Sequence, residues 1–187
     1  MIRAKKKRIG IFGGSFDPPH QGHLEISKLA IKKLYLDQIY WCITKKNPLK
    51  KKSLFSVSER IKKSKAITNK FKKIKIKFFE DKVKSTSTIN TIRYLKKKNQ
   101  TNILFLILGS DNLIKFHKWK SWTLLPELTK IVVFSRKDYD KKAKKSVMMR
   151  QVKKITFIKN KPINISSTQI KKDLLNFNGN NKNKKSN

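Results

Sequence analysis

The chain has 187 residues, enough for one domain with a full core and too few for two of ordinary size. Lysine and arginine number 48 against 11 acidic residues, and the formal net charge of +37 would ordinarily point to nucleic acid or an anionic membrane. The excess is almost all lysine, with six arginines, spread in short runs without a nucleic-acid reading element or an aromatic stacking platform. It reads as solvated surface that also attracts anionic substrates.

The first apolar run, Arg8–Phe12, predicts a strand. Gly13-Gly14-Ser15-Phe16-Asp17-Pro18-Pro19-His20-Gln21-Gly22-His23 follows, a glycine turn leading into a helix over Leu24–Leu36, where Ile26, Ala30 and Leu34 share a face. A second strand, Gln38–Thr44, contains Cys42, read as a buried structural thiol. As the only cysteine, it excludes an intramolecular disulfide and a cysteine-rich metal site. Ser56-Val57-Ser58-Glu59 has the form of a capping box and opens a helix toward Asn69. Further strands are predicted at Ile74–Phe79, Ile103–Leu108, Ile131–Ser135 and Ile155–Ile158. A helix is predicted from about Thr88 to Lys98, and a shorter helical pair around Trp119 and Trp122 ends near Pro126.

Near-continuous apolar strands alternating with helices predict an α/β fold, a doubly wound parallel sheet covered by helices on both faces. A single domain over residues 1–177 is expected, with a disordered Asn/Lys-rich tail at 178–187. No stretch approaches the ~20 apolar residues that span a bilayer. The apolar run after the basic start is too short for a secretory leader, so a cytoplasmic protein is expected.

The glycine turn is neither G-x-G-x-x-G nor a Walker loop. What it brings together is a helix start, with its unpaired N–H groups and positive dipole end, and two of the chain's three histidines, His20 and His23. One histidine there would be a cap or a surface residue; two in H-x-G-H after G-G-S-F-D-P-P point to chemistry on phosphates. No nucleophile–base pair is evident, since no serine sits in a G-x-S-x-G turn and Cys42 has no histidine near it in sequence.

The first motif resembles the signature of the nucleotidylyltransferase superfamily, and the double proline before H-x-G-H-L is similar to that of the nicotinate-nucleotide adenylyltransferases. Ile165-Ser166-Ser167-Thr168-Gln169-Ile170-Lys171 is similar to their I-S-S-T-x-I-R element, with Lys171 where arginine is usual. Asn47-Pro48-Leu49-Lys50 resembles an N-P-x-K loop. Ser85–Ile92 parallels S-Y-T-x-x-T-L, with Thr86 where tyrosine is commoner, and Leu108–Leu113 parallels G-x-D-x-L, followed by Trp119 and Trp122.

The resemblance implies a Rossmann-like fold and transfer of the adenylyl group of ATP to nicotinate mononucleotide, giving deamido-NAD and pyrophosphate for NAD biosynthesis. It implies His20 and His23 as the catalytic residues, acting on the ATP phosphates. ATP would further be held by Gly13, Gly14, Ser15, Phe16, Asp111, Ser166, Ser167, Thr168 and Lys171. Lys50, Thr86, Trp119 and Arg136 would bind the mononucleotide, with Trp119 stacked on its ring. Mg²⁺ would arrive with ATP rather than in a metal site of the protein. Neither a specific nucleic acid nor a membrane is implied as partner. Phosphopantetheine adenylyltransferase shares H-x-G-H, but its D-P-x-T-x-G-H carries threonine at the position of His20. The cytidylyltransferases share only H-x-G-H. A basic nucleic-acid-binding module would explain the charge and leave both anion motifs without use.

Overall fold

The computed structural model describes residues 6–45, 53–152, 154–161 and 167–170. Six strands form one sheet: β1 Arg8–Gly14, β2 Gln38–Ile43, β3 Ile74–Lys77, β4 Ile103–Gly109, β5 Lys130–Phe134 and β6 Ile155–Ile158. Every pairing is parallel, in the order β3-β2-β1-β4-β5-β6. The chain therefore winds outward from β1 in one direction, returns across the sheet, and winds out in the other.

The helices between them are α1 Gln21–Lys33, α2 Val57–Thr68, α3 Glu80–Val83, α4 Thr88–Lys98, α5 Ser110–Ile114, α6 Leu125–Leu128, α7 Asp140–Lys144 and α8 Val147–Gln151. Two 3₁₀ turns, Phe116–Lys118 and Trp122–Leu124, flank Trp119. No helix among the described residues is long and apolar enough to cross a membrane.

The period-2 geometry of each strand splits the apolar residues between two cores. Ile9, Ile11, Leu104, Leu106, Ile131 and Val133 face α4, α5 and α8, meeting Ile89, Ile92, Leu113 and Met148. Phe105, Ile107, Ile39, Trp41, Val132 and Phe134 face the other way, where Leu24 and Ala30 of α1 and its C-cap Leu34 pack. Gly10 belongs to this second face. A Cβ there would lie 2.8 Å from Leu36 Cδ1 and 2.9 Å from Ile107 Cδ1, so glycine is what allows those side chains to close over β1.

All six expected strands form, and α4 has the predicted limits. The Ser56 hydroxyl and the Glu59 carboxylate make both arms of the expected capping box at the start of α2. Helix α1 begins at Gln21, three residues before the expected start, because His20 and His23 themselves cap it. Strand β3 stops at Lys77 and not at Phe79, since Phe79 already caps α3. Helices α3, α5, α7 and α8 have four or five residues each, too few to show a helical period in sequence. The segment 178–187 lies outside the described residues.

Candidate active site

In an open parallel sheet the crevice lies beyond the carboxyl ends of the strands, where the strand order reverses. Here that point falls between β1, ending at Gly14, and β4, ending at Gly109. Glycine permits left-handed backbone angles, but no glycine among the described residues has a positive φ. The left-handed residue of the turn is Phe16, with φ 46°, held there by burial and by stacking on Trp41 at 4.7 Å. The Gly13 contribution is space, since a Cβ added there would meet nothing within 4 Å.

Buried Asp17 continues the turn and accepts hydrogen bonds from Leu54 N–H at 2.9 Å and Phe55 N–H at 3.0 Å. The chain then passes through a cis Asp17–Pro18 bond to His20, the N-cap of α1. His20 Nδ1 accepts from Gly22 N–H at 3.1 Å, and His23 Nδ1 accepts from His20 N–H at 3.2 Å. Both bonds use the ring lone pair, so each neutral imidazole must carry its proton on Nε2. The ring centroids lie 3.9 Å apart. His23 rests among Phe16, Phe12 and Trp41 at 4.8, 5.9 and 5.9 Å. Trp41 Nε1–H donates to Ser27 Oγ, whose hydroxyl donates to the His23 carbonyl, fixing the first turn of α1 against β2.

Thr86 and Trp119 line one cavity together with Gly13, Cys42, Thr44 and Glu80. Its volume is about 40 Å³, well below the roughly 300–1,000 Å³ of a small-molecule site. Trp119 stacks on Phe116 at 4.9 Å. Burial pushes the Cys42 thiol up to about 12 despite the nearby Lys77, which makes it the structural thiol expected. Burial also raises the Glu80 carboxyl above the usual range, against the opposing hydrogen bond from Lys45 N–H and the Arg60 charge. Glu80 Oε1 and Thr44 Oγ1 are buried with no hydrogen-bond partner among the described residues.

Beyond β4, Arg136 Nη1 pairs with Asp111 Oδ2 at 2.7 Å, so two residues assigned to different substrates by the resemblance meet each other. Asp111 Oδ1 is buried over Gly109 without a hydrogen-bond partner among the described residues, and a Cβ at Gly109 would approach it to 2.5 Å. Ser110 Oγ and Asp140 Oδ1 both accept from Arg136 N–H at 3.0 Å.

Residues 167–170 form one helical turn, with Thr168 exposed. The Ser167 hydroxyl donates to the Pro18 carbonyl at 3.0 Å, bringing the second motif against the first. Lys50, Ser166 and Lys171 lie outside the described residues.

The sequence reading missed Arg60. Its side chain is 1 % exposed, and its guanidinium donates to five carbonyls, among them Ser15 O at 2.6 Å and Thr44 O at 2.7 Å. The one available signal was an arginine, in a chain where lysine carries nearly all the charge, directly after a capping box.

A parallel sheet of this order, with paired imidazoles on a helix start at its switch point, is the architecture of a nucleotidyltransferase. Residues 11–173 match the family model described as cytidylyltransferase-like. A protein of Pelagibacter ubique (strain HTCC1062), named "Probable nicotinate-nucleotide adenylyltransferase", is 48% identical over 173 residues, 91% of this chain and 96% of its own. One of the same name from Ruegeria sp. (strain TM1040) is 38% identical over 68% of this chain and 67% of its own. The chain belongs to the cytidylyltransferase-like family, among its nicotinate-nucleotide adenylyltransferases. The fold is shared with the Plasmodium falciparum nicotinic acid mononucleotide adenylyltransferase complexed with APC. That match has a TM-score of 0.73 at 21% identity, covering 89% of this chain and 83% of the other.

Proposed function

We propose that the chain is an adenylyltransferase that moves the adenylyl group of ATP onto nicotinate mononucleotide, releasing pyrophosphate and forming nicotinate adenine dinucleotide. The observation that carries this reading is the histidine pair. Two rings 3.9 Å apart, each with its proton on Nε2, stand at the N-terminus of a 13-residue helix where the sheet order reverses.

The mononucleotide's own phosphate oxygen attacks the α-phosphorus of ATP in line, and the bond to the β-phosphate bridging oxygen breaks. Catalysis is then positioning and charge stabilisation, with no protein nucleophile. His20 and His23 donate to the phosphate oxygens on which charge develops. The N–H groups around Ser15 and Phe16, and the Ser166, Ser167, Thr168 and Lys171 element, hold the polyphosphate. Gly13 and Gly14 leave it room. Asp111 Oδ1 is an acceptor suited to a ribose hydroxyl, while Arg136 holds the other carboxylate oxygen in place and, with Lys50, balances the mononucleotide phosphate. Trp119 and the backbone at Thr86 share the cavity in which the pyridine ring and its carboxylate would lie, once that cavity opens.

Among the described residues no three His, Cys, Asp or Glu side chains group to hold a metal ion. Mg²⁺ would come with ATP, held by its phosphates, and would offset their charge during the transfer. The test is pyrophosphate release by the purified protein with ATP, Mg²⁺ and one acceptor at a time. Nicotinate mononucleotide should turn over, and phosphopantetheine should not. No turnover with any pyridine mononucleotide defeats the reading.

A further inference from the structure

Arg60 is the largest buried charged side chain among the described residues, yet no role above uses it. It projects from the first turn of α2 beneath the histidine turn, and it spends its donors on backbone oxygens. Nη1 donates to Ser15 O at 2.6 Å and to Thr44 O at 2.7 Å, and Nη2 to Lys45 O at 3.3 Å. Nε donates to Phe55 O at 3.1 Å and Ser56 O at 3.3 Å. The negative charges of Asp17 and Glu80 raise its proton affinity against the larger cost of burial.

Those two carboxylates complete a frame around the guanidinium. Asp17, in the histidine turn, grips Leu54 N–H and Phe55 N–H. Glu80 Oε2 accepts Lys45 N–H at 3.0 Å. The peptide groups on either side of residues 46–52 are thus held by donors from one arginine and acceptors from two acids, of which Asp17 belongs to the turn and Glu80 to α3. In a trans peptide the carbonyl and the following N–H point in opposite directions. Fixing Ser15 O on Arg60 therefore aims Phe16 N–H away from the guanidinium, and it has no acceptor among the described residues.

We propose that Arg60 is a positioning residue for nucleotidyl transfer: by holding carbonyls of residues 15, 44, 45 and 55 on one planar cation, it sets the phosphate-binding turn and the mononucleotide side of the crevice in register without touching either substrate. The proposal rests on the adenylyltransferase reading. A lysine at this position offers three donors from a single point and cannot reproduce the flat fork that spans these oxygens. Misplacement of reacting groups by about 1 Å is enough to cost on the order of 10² in rate.

The experiment is steady-state kinetics of Arg60→Lys beside the wild type, with thermal melts of both. Wild-type turnover of nicotinate mononucleotide tests the parent reading by itself, so only a wild type that turns over goes on to test Arg60. Arg60→Lys should be fully folded at the assay temperature, with kcat down about 10-fold or more. Its KM for the mononucleotide should rise roughly fivefold and that for ATP less than about twofold, since four of the five carbonyls belong to residues 44–56. A loss of folded protein would lower kcat and move neither KM. Wild-type kcat and KM values in folded Arg60→Lys overturn the proposal. If that variant does not fold, Asp17→Asn decides, because it keeps the side-chain volume and removes the charge beside Arg60. The same split at smaller amplitude supports the proposal, and unchanged kinetics overturn it.

Discussion

The hydroxyl of Ser167 donates to the carbonyl of Pro18 across 149 residues of sequence at 3.0 Å. One bond thus sets the last described helical turn beside the turn that carries the histidines. A hydrogen bond of this kind contributes roughly 0.5–1.5 kcal/mol net. Ser167→Ala should therefore raise the KM for ATP about 2- to 10-fold and leave that for nicotinate mononucleotide unchanged. An ATP KM equal to that of wild type would detach residue 167 from the triphosphate.

His20 caps α1 with its ring, and the proposed function gives the same ring a second, separable duty on phosphate. Asparagine can take over the first and not the second. His20→Ala should cost about 1 kcal/mol of stability together with roughly 10²–10³ in kcat. His20→Asn should keep the melting temperature and lose the same turnover. Thermal melts and kcat values on the two variants check this, and near-normal turnover in either removes His20 from the chemistry.

Two glycines of β1 make opposite predictions. A methyl group at Gly10 would lie under 3.0 Å from Leu36 and Ile107, in a close-packed face, so Gly10→Ala should destabilise by about 1–3 kcal/mol and leave both KM values alone. At Gly13 nothing stands within 4 Å, and the position, which the proposed reading leaves open for the polyphosphate, also borders the cavity of Thr86 and Trp119. Gly13→Ala should melt at or slightly above the wild-type temperature and raise the KM for ATP and for the mononucleotide several-fold. Denaturation and kinetics run on both proteins check the contrast; a Gly13→Ala protein with an unaltered KM would mean that the ligand stays clear of that wall.

The sequence carried the sheet plainly, because strands covered on both faces read as apolar runs such as Ile103–Leu108 and Ile131–Ser135. It also carried the histidine pair and the Ser56–Glu59 cap, both of which are local in sequence. What it did not carry is whatever depends on backbone oxygens or on distant partners. The Arg60 contacts run from 4 to 45 residues away and end on carbonyls, which have no residue type to recognise. The Asp111–Arg136 pair joins the ends of β4 and β5, 25 residues apart, and each member has a plausible separate use. The left-handed turn residue is Phe16, where composition pointed to the preceding glycines; burial against Trp41 outweighs the backbone preference there.

Cys42 should be chemically silent in the folded protein. Its thiol is buried and raised to about 12, so almost no thiolate exists near neutral pH. Incubation with iodoacetamide at pH 8 should leave the native protein unmodified by mass spectrometry, while denatured protein takes up one equivalent. Rapid labelling of the native state would show that the cavity beside β2 opens without substrate.

Asp140 should make stability depend on acid in one defined direction. Burial pushes its carboxyl up, but hydrogen bonds from Ser110, from Arg136 N–H and from Ser135, with the Lys144 charge, outweigh that and hold it below its usual value. A carboxyl lowered in the folded state binds fewer protons there than in the unfolded chain between the two pKa values. Its stabilisation is therefore complete above the unfolded value of about 3.9 and fades as the pH falls through the folded one. Asp140→Asn removes that charge, so it should lower the melting temperature by a constant amount from pH 7 to about pH 5, and the gap to wild type should close below about pH 4. Melts across this range measure the gap directly. A gap that persists unchanged well below pH 3 would assign the loss to packing around Arg136 and not to the ionised carboxylate.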